Sequence, residues 1–327
     1  MKECMPVGKP QISILMAVYD PHMDWLRQQL ESLNAQTYSN LRLYICDDCS
    51  PTVSYAEIQS LVKDCISAFP YKIWRNNKNI GSNGTFEQLT LSAEGDLFAY
   101  CDQDDIWLPE KLAVLEREIS KSGALLVCSD MFVIDGEGQQ MSDSIRKVRR
   151  HHVFRSGDNL AIHLLFSNFV TGCTMLVQSK EAKAAVPFCP YMVHDHYLAL
   201  WCAEHGQIQT VTHSLIRYRI HGGNQTGIMS GVFDKTSYGT VRIEAALNKM
   251  LWLKAHFLCG TKLSKTIDDA INWLQARRQN WNHQGGAATV WKYRHFSVLP
   301  SIAEICMEHI PDKLFMKAIE LVRKNWI

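Results

Sequence analysis

Acidic side chains occur at three points of the sequence, each directly after an apolar run of strand length. Asp20 follows the first of these runs, Asp48 follows the second, and Asp102 and Asp104 follow Leu97 to Cys101. Carboxylates gathered in one place repel each other, so such a cluster needs a cation or hydrogen-bond donors among its members. Mg²⁺ or Mn²⁺ takes few protein oxygens and keeps its other positions for water and phosphate. The pattern therefore predicts a divalent metal site that also binds a nucleotide.

The segment that follows Cys101 excludes several other kinds of site. A calcium-binding EF-hand loop needs glycine at its sixth position and glutamate at its twelfth, where this chain has Trp107 and Ala113. A Walker phosphate loop and the GxGxxG fingerprint are both missing, so nothing supports ATP hydrolysis or nicotinamide chemistry. The alternative that stays open is an acidic strand-to-helix turn that caps the helix opened by Pro109.

The elements that position these carboxylates alternate between strand-like and helix-like segments. This alternation predicts an α/β domain whose central strands are mostly parallel, with ligands at the carboxyl ends of the strands. Strands are predicted at Ile12 to Val18, Leu41 to Cys46, Tyr71 to Trp74, Leu97 to Cys101, Ala124 to Ser129, Thr174 to Val177, Ile208 to Val211 and Leu215 to Arg219. Helices are predicted at Asp24 to Ala35, Ile58 to Phe69, Thr85 to Ser92 and from Pro109 onward, with a polar loop at Arg75 to Gly84 and a hairpin at Asp135 to Gly138.

Composition sets the broad class of the protein. The chain has 327 residues and 46% hydrophobic content, which suffices for a full core, and its net charge of +1 leads us to expect no nucleic-acid partner. The eleven cysteines and an N-terminus without the apolar core of a secretory signal predict a cytoplasmic protein. No stretch approaches the roughly 18 uninterrupted apolar residues of a transmembrane helix, so we expect membrane contact to be peripheral.

Five motifs, in this order, resemble the family 2 glycosyltransferases of the GT-A fold. They are Ser13 to Tyr19, Gln36 to Tyr38, Ile45 to Ser50, Asn79 to Gly84 and Asp102 to Pro109. The resemblance implies a Rossmann-like, mostly parallel sheet flanked by helices over residues 1–235, and an inverting, metal-dependent transfer from a nucleoside-diphosphate sugar. The Asp-Gln-Asp-Asp-Ile-Trp motif is similar to the motif of the bacterial rhamnosyltransferase-like branch of this family. This similarity implies dTDP-rhamnose as donor and a role in cell-surface polysaccharide synthesis.

The resemblance also implies donor-side roles for individual residues. Asp48 would bond the pyrimidine, Asp102 would face the ribose, and Asp104 would coordinate the metal that bridges the diphosphate. His221 would contact the diphosphate or the metal, and Arg219 is a second phosphate candidate unless strand alternation buries it. The rest of the implied donor set is Ala17, Val18, Tyr19, Asp20, Asn79 and Gln103.

The acceptor side is expected in the second half of the chain. Gly172 and Cys173 lie in a loop that would approach the donor sugar and the acceptor, although an ordinary turn into a strand fits the same residues. Asp195, at the start of a helix, is the expected catalytic base, because inversion needs one carboxylate to take the acceptor proton. A plain helix cap is the alternative for Asp195. His194 stands where the family usually has glutamate, and we assign it to the acceptor site.

Residues 236–327 are predicted to form a helical appendage, with helices at Val241 to Leu258, Thr266 to Asn280 and Lys313 to Lys324. Packing on the catalytic domain or homodimerisation is the first expectation for these tryptophan-rich helices. The alternative is an interfacial contact with the inner face of the cytoplasmic membrane, where a lipid-linked saccharide acceptor would lie. A free saccharide is the other acceptor class.

Two rival functions fit parts of the sequence. Asp102 and Asp104 superficially match the loop of an aspartyl phosphotransferase, but that chemistry leaves the His221 segment unexplained. A non-catalytic module that binds nucleotide sugars or glycans is the second rival, and the presence of Asp104, Asp195 and His221 together argues against it.

Overall fold

The computed structural model describes residues 8–149, 152–221, 231–307 and 310–325. The chain divides into two compact units. The first is bounded by Met1–Leu160, Asn168–Phe188 and Val193–His221, and the second by Ala161–Ser167, Cys189–Met192 and Gly222–Ile327. All the predicted site residues belong to the first unit. The domain boundary that we predict after residue 235 stays a prediction.

The first unit is built on a mixed β-sheet, in which the described residues form nine strands. These are β1 Ile12–Val18, β2 Leu41–Asp47, β3 Tyr71–Arg75, β4 Leu97–Cys101, β5 Ile106–Trp107, β6 Leu126–Ile134, β7 Gln140–Ser142, β8 Met175–Gln178 and β9 Ile208–Arg219. Their order is β3-β2-β1-β4-β8-β6-β9-β5, with β7 paired to β6. The apolar runs predicted as buried strands form its centre, since β1 and β4 are almost entirely inaccessible to solvent.

Strand direction places the predicted acidic residues at one edge of the sheet. β1 is parallel to β2 and to β4, and β2 is parallel to β3. β8 is antiparallel to both β4 and β6, while β9 is parallel to β6. β9 therefore points the same way as β4, and the residues after β1, β2, β4 and β9 meet at the carboxyl edge.

Helices flank this sheet and form the second unit. In the first unit they are α1 Met23–Asn34, α2 Tyr55–Cys65, α3 Gly81–Ser92, α4 Lys111–Ser122, α5 Ile145–Val148, α7 Ser179–Ala184 and α8 His194–His205. The second unit contains α6 Ala161–Phe166, α9 Lys235–Tyr238, α10 Ala245–His256, α11 Thr261–Trp281, α12 Ala287–Lys292, α13 Val298–Met307 and α14 Asp312–Asn325. No helix in the described ranges is both long enough and apolar enough to cross a bilayer.

Two elements differ from the sequence prediction for physical reasons. Helix α3 begins at Gly81, inside the predicted polar loop, because the carboxylate of Asp48 accepts the N–H groups of Ile80 and Gly81. A cap from a distant strand cannot be read from the local sequence. Strand β9 runs without a break where two strands were predicted, because its polar middle stays paired to β6 through an irregular register.

Candidate active site

Asp104 and His221, the two predicted metal ligands, lie together at the carboxyl edge of the sheet. Asp104 follows β4 and His221 follows β9, and their Oδ2 and Nε2 atoms are 2.7 Å apart. Both side chains stay partly open to solvent, at 19% and 23% exposure. One carboxylate and one imidazole suit Mn²⁺ better than Mg²⁺, because Mg²⁺ prefers oxygen ligands, and several coordination positions remain for water and phosphate oxygens. The residues present therefore fit a divalent ion.

Trp25 supports the imidazole of His221 from helix α1. Their ring centroids are 5.0 Å apart, and His22 stacks on the tryptophan at 4.5 Å. The guanidinium carbon of Arg219 lies 5.1 Å from the tryptophan ring. A metal ligand binds best when neighbouring groups fix its ring orientation, so we expect Trp25 to influence the predicted metal site through His221.

We expect Trp25→Leu to lower the affinity for Mn²⁺ by about tenfold, because the His221 ring loses the surface that orients it. Calorimetric titration of Mn²⁺ in the presence of a nucleoside diphosphate measures the change. Trp291→Leu, at a half-exposed tryptophan of the second unit, is the control. Equal Mn²⁺ affinity in Trp25→Leu and the wild-type protein would show that Trp25 has no such role.

The structure corrects the donor-phosphate role that we assigned to Arg219. Its side chain is 1% exposed, because the alternation of β9 turns it inward. The guanidinium donates to four acceptors, which are the carbonyl oxygens of Asp104, Asp135 and Gly136 and the Oε1 atom of Gln28. Its backbone N–H also donates to Asp105 Oδ1 at 2.9 Å. Arg219 therefore shapes the loop that presents Asp104, with its donors already committed.

Asp102 and Asp105 form a second carboxylate group beside Cys173. A carboxylate oxygen of Asp102, a carboxylate oxygen of Asp105 and the Sγ atom of Cys173 all lie within 4.8 Å of one another. Burial, and then the charge of Asp104, raises the pKa of Asp102 to about 7 and that of Asp105 well above its usual range. Cys173 is fully buried and burial strongly raises its thiol pKa. The acceptor contact that we predict for the turn of Gly172 and Cys173 stays a prediction. A buried protonated thiol is a poor ligand for a hard cation, so Asp104 and His221 fit the ion better.

Asp195 lies in the first turn of α8 and is held by three donors. Gly172 donates its N–H to Oδ2 at 2.9 Å, and Oδ1 accepts the N–H of His196 and the Nδ2 of Asn168. Burial raises the pKa of Asp195 to about 6 even though these hydrogen bonds lower it. The pKa of Asp102 is raised most by burial, next by the charge of Asp104 and then by the charge of Asp195. The predicted base therefore lies near the carboxylates that follow β4.

Gly172 and His194 pack tightly against this carboxylate. A Cβ atom at Gly172 would come within 2.8 Å of His194 Nε2, so a larger residue here would have to displace the buried imidazole. The imidazole packs on Phe86 at 4.1 Å between ring centroids, and burial lowers its pKa to about 3. At 8% exposure the neutral ring forms part of the wall behind Asp195. The assignment of His194 to the acceptor site stays a prediction, which the burial of its ring does not favour.

The donor-side residues after β1 shape loops with their polar groups. Asp20 Oδ1 accepts from the backbone and hydroxyl of Thr52 and from Val53, and these bonds lower its pKa. Gln103 holds Tyr19, because its amide accepts the tyrosine N–H and donates to the tyrosine carbonyl. The phenol ring of Tyr19 is 45% exposed. Direct contact of Asp20 and Gln103 with a donor stays a prediction.

The other donor-side residues lie between β1 and α3. Both Asp48 oxygens accept hydrogen bonds, from Asn76 Nδ2 and from the start of α3, and Asp48 donates its N–H to the Val18 carbonyl. Asn79 Oδ1 accepts the N–H of Gly81, while Ala17 and Val18 end β1. Their roles in base recognition stay predictions. Residues 222–226, which complete the His221 segment, lie outside the described residues.

Sequence reasoning missed three residues that support the site: Trp25, Gln28 and Lys111. Trp25 and Gln28 were expected only as parts of a helix, because their partners Arg219 and His221 are far away in sequence. Lys111 did carry a signal. It is the first residue of α4, where the helix dipole disfavours a cation, so a lysine there needs a specific partner.

Comparisons with known proteins identify the family of this chain. The family model "Glycosyl transferase family 2" matches residues 13–182. WfgD of Escherichia coli, a UDP-Glc:alpha-D-GlcNAc-diphosphoundecaprenol beta-1,3-glucosyltransferase, is 24% identical over 77% of this chain and 94% of its own length. Against four other curated relatives the chain spans only 29% to 66% of their length.

Solved structures share the fold. S. aureus TarS 1-349 in complex with UDP-GlcNAc superposes with a TM-score of 0.57 at 14% identity, covering 91% of this chain and 79% of TarS 1-349. The mannosyltransferase PcManGT from Pyrobaculum calidifontis, in complex with GDP-Man and Mn2+, superposes with a TM-score of 0.57 at 12% identity. The superposition covers 98% of this chain and 83% of PcManGT. At such identities the likeness shows the fold alone, and it confirms the predicted GT-A architecture with a helical C-terminal region.

Proposed function

The chain belongs to glycosyl transferase family 2, and from this premise we propose that it transfers a sugar from a nucleoside diphosphate to an acceptor hydroxyl, with inversion and with a divalent ion. The observation that carries the proposal is the meeting of Asp104 and His221, which come from the ends of β4 and β9. Mn²⁺ or Mg²⁺ held by these two residues would neutralise the leaving diphosphate.

Asp195 performs the proton transfer in this proposal. The acceptor oxygen forms a bond to the anomeric carbon while the bond from that carbon to the diphosphate breaks. The hydroxyl proton goes to Asp195, and the electron pair of the broken bond leaves with the diphosphate. Because the pKa of Asp195 is about 6, the carboxylate is ionised at neutral pH and is a stronger base than an ordinary aspartate. One carboxylate and one displacement give inversion.

We propose dTDP-rhamnose as the first donor to test, on the strength of the Asp-Gln-Asp-Asp-Ile-Trp motif. UDP-glucose, UDP-GlcNAc and GDP-mannose follow, because they are the donors named for WfgD, TarS and PcManGT. The name of WfgD also supports a lipid-linked saccharide as acceptor, and hence a role in cell-surface polysaccharide synthesis at the inner face of the membrane. Family membership gives no support to an aspartyl phosphotransferase.

A thermal-shift screen of nucleotide sugars with and without Mn²⁺ tests the proposal. A ligand at 100 times its Kd stabilises the folded state by about 2.7 kcal/mol, so we expect one donor to raise the Tm by several degrees. We expect EDTA to abolish this shift, and the same donor to be consumed when an acceptor is present. A protein that no nucleotide sugar stabilises, with or without Mn²⁺, would contradict the proposal.

A further inference from the structure

Lys111 is a buried lysine at the start of helix α4. Its side chain is fully inaccessible to solvent, although lysine is almost never buried without a partner. Its Nζ atom lies 2.9 Å from the ring centroid of Trp107, which is itself buried. Burial lowers the pKa of Lys111 to about 7, against the opposing effect of neighbouring thiols and carboxylates. Burial of an amine costs desolvation energy, so such a side chain needs a specific hydrogen-bond partner.

The partner of the Lys111 amine lies in a distant segment of the chain. Lys111 Nζ donates to the carbonyl oxygen of Cys173 at 2.6 Å. Because both a neutral and a charged amine can donate, the bond does not depend on the protonation state. It joins the start of α4 to the turn Gly172–Thr174, which is 62 residues further along the chain.

That turn also holds the predicted base. Gly172, directly before Cys173, donates its N–H to Asp195 Oδ2 at 2.9 Å. The Gly172 N–H and the Cys173 carbonyl belong to adjacent residues of one three-residue 3₁₀ turn, so the two hydrogen bonds act on the same short, regular segment. On its other side, Lys111 is six residues after Asp105 and is attached to the same loop as Asp102 and Asp104. The amine therefore lies on a continuous connection between the carboxylates after β4 and Asp195.

We propose that Lys111 is a positioning residue that fixes the Gly172–Thr174 turn against the start of α4, and so sets the place of Asp195 relative to the metal-binding loop. The proposal rests on the transferase function above. Lys111 is too deeply buried to touch a substrate, so it acts on the rate through Asp195. Since a displacement of about 1 Å can cost a hundredfold in rate, the loss of this bond should be measurable.

Lys111→Met keeps an apolar chain over Trp107 and removes the donor. We expect kcat to fall about 10- to 100-fold, while the Kd of the nucleoside diphosphate with Mn²⁺ changes less than about threefold, because Asp104 and His221 keep their contacts. Lys121→Met, at an exposed lysine of the same helix, is the matched control and should retain wild-type kcat. Wild-type kcat in Lys111→Met would overturn the inference.

A double-mutant cycle separates positioning from general structural damage. In the Asp195→Asn background we expect Lys111→Met to cause no further loss of kcat, because the residue acts through Asp195. If the loss of kcat in the double variant equals the product of the two single-variant losses, the inference would be overturned. If Lys111→Met does not bind nucleoside diphosphate, Lys111→Arg replaces it in the cycle, since arginine keeps N–H donors. Wild-type kcat in Lys111→Arg supports positioning. So does a loss of kcat in Lys111→Arg that is absent when Asp195 is already asparagine. A loss of kcat that is the same with and without Asp195→Asn overturns positioning.

The wild-type protein is assayed alongside these variants. An inactive wild-type protein would overturn the proposed function and this inference with it. Equal turnover by an active wild-type protein and Lys111→Met would overturn this inference alone.

Discussion

Replacement of Asp104 by asparagine is expected to lower kcat by about 1,000-fold, because the leaving diphosphate loses several kcal/mol of charge stabilisation. Asparagine has nearly the same shape but no negative charge, and its Oδ1 can still face His221 Nε2, so we expect the fold to survive. The carboxylate is partly exposed and lies 2.7 Å from the imidazole, which makes it the residue best placed to hold the ion. Initial rates over a range of Mn²⁺ concentrations measure the effect.

The matched control is Glu110→Gln, at an exposed carboxylate beside α4 that makes no side-chain cap. We expect this variant to retain wild-type rates and the same dependence on Mn²⁺. Near-normal rates in Asp104→Asn at low Mn²⁺ would show that the ion is held elsewhere.

Replacement of Asp195 by asparagine is the second large effect. We expect kcat to fall about 10²- to 10⁴-fold, the usual contribution of a positioned general base. Asparagine can still accept the N–H of Gly172, so the donor and Mn²⁺ should bind as they do to the wild-type protein. Isothermal titration of the nucleoside diphosphate with Mn²⁺ and steady-state rates separate the two effects. An Asp195→Asn variant with wild-type kcat would contradict its role as base.

The stability of this variant, compared with that of the wild-type protein, should depend on pH. The pKa of Asp195 is raised from 3.8 to about 6, so the folded protein favours the protonated form. Ionisation of this group therefore costs stability, and the cost grows as the pH rises from about 4 and is complete above about 6. Asparagine removes this cost, but its Nδ2 group cannot accept the hydrogen bonds of His196 and Asn168 when its Oδ1 faces Gly172. We therefore expect the Tm difference between Asp195→Asn and the wild-type protein to shift in favour of the variant as the pH rises from about 4 to about 7.5. A Tm difference that does not change with pH over this range would contradict the raised pKa of Asp195.

The same pKa predicts how the wild-type rate depends on pH. Below about pH 6 the base is increasingly protonated, so the rate should fall about tenfold for each pH unit. Rates under saturating donor and Mn²⁺, from pH 4.5 to pH 8, test this over the range where the protein stays folded. A rate independent of pH across this range would contradict the assignment of Asp195.

The sequence predicted the parts of this site that follow from strand direction. Parallel strands bring their carboxyl ends to one edge, so Asp48 and Asp104 were expected at the same edge of the sheet, and the strands that precede them do run parallel. The pairing of Asp104 with His221 followed from the family resemblance, because a separation of 117 residues leaves no local pattern. Arg219 shows the limit of such transfer, since alternation along β9 turned its side chain into the protein.

Contacts between distant segments could not be predicted. The cap that Asp48 provides for α3 and the bond from Lys111 to Cys173 join elements whose relative placement only the fold determines. Periodicity identifies which face of a helix is buried, but it does not identify the partner of a buried polar group. The unusual placement of Lys111 was the one local sign of such a partner.

The proposed mechanism depends on the binding of one divalent ion by Asp104 and His221. Electron spin echo spectroscopy of Mn²⁺ bound with a nucleoside diphosphate tests this binding, because a coordinated imidazole nitrogen modulates the echo. We expect one Mn²⁺ per chain with a single nitrogen coupling that disappears in His221→Gln. Bound Mn²⁺ without nitrogen coupling, or a coupling that persists in His221→Gln, would contradict it.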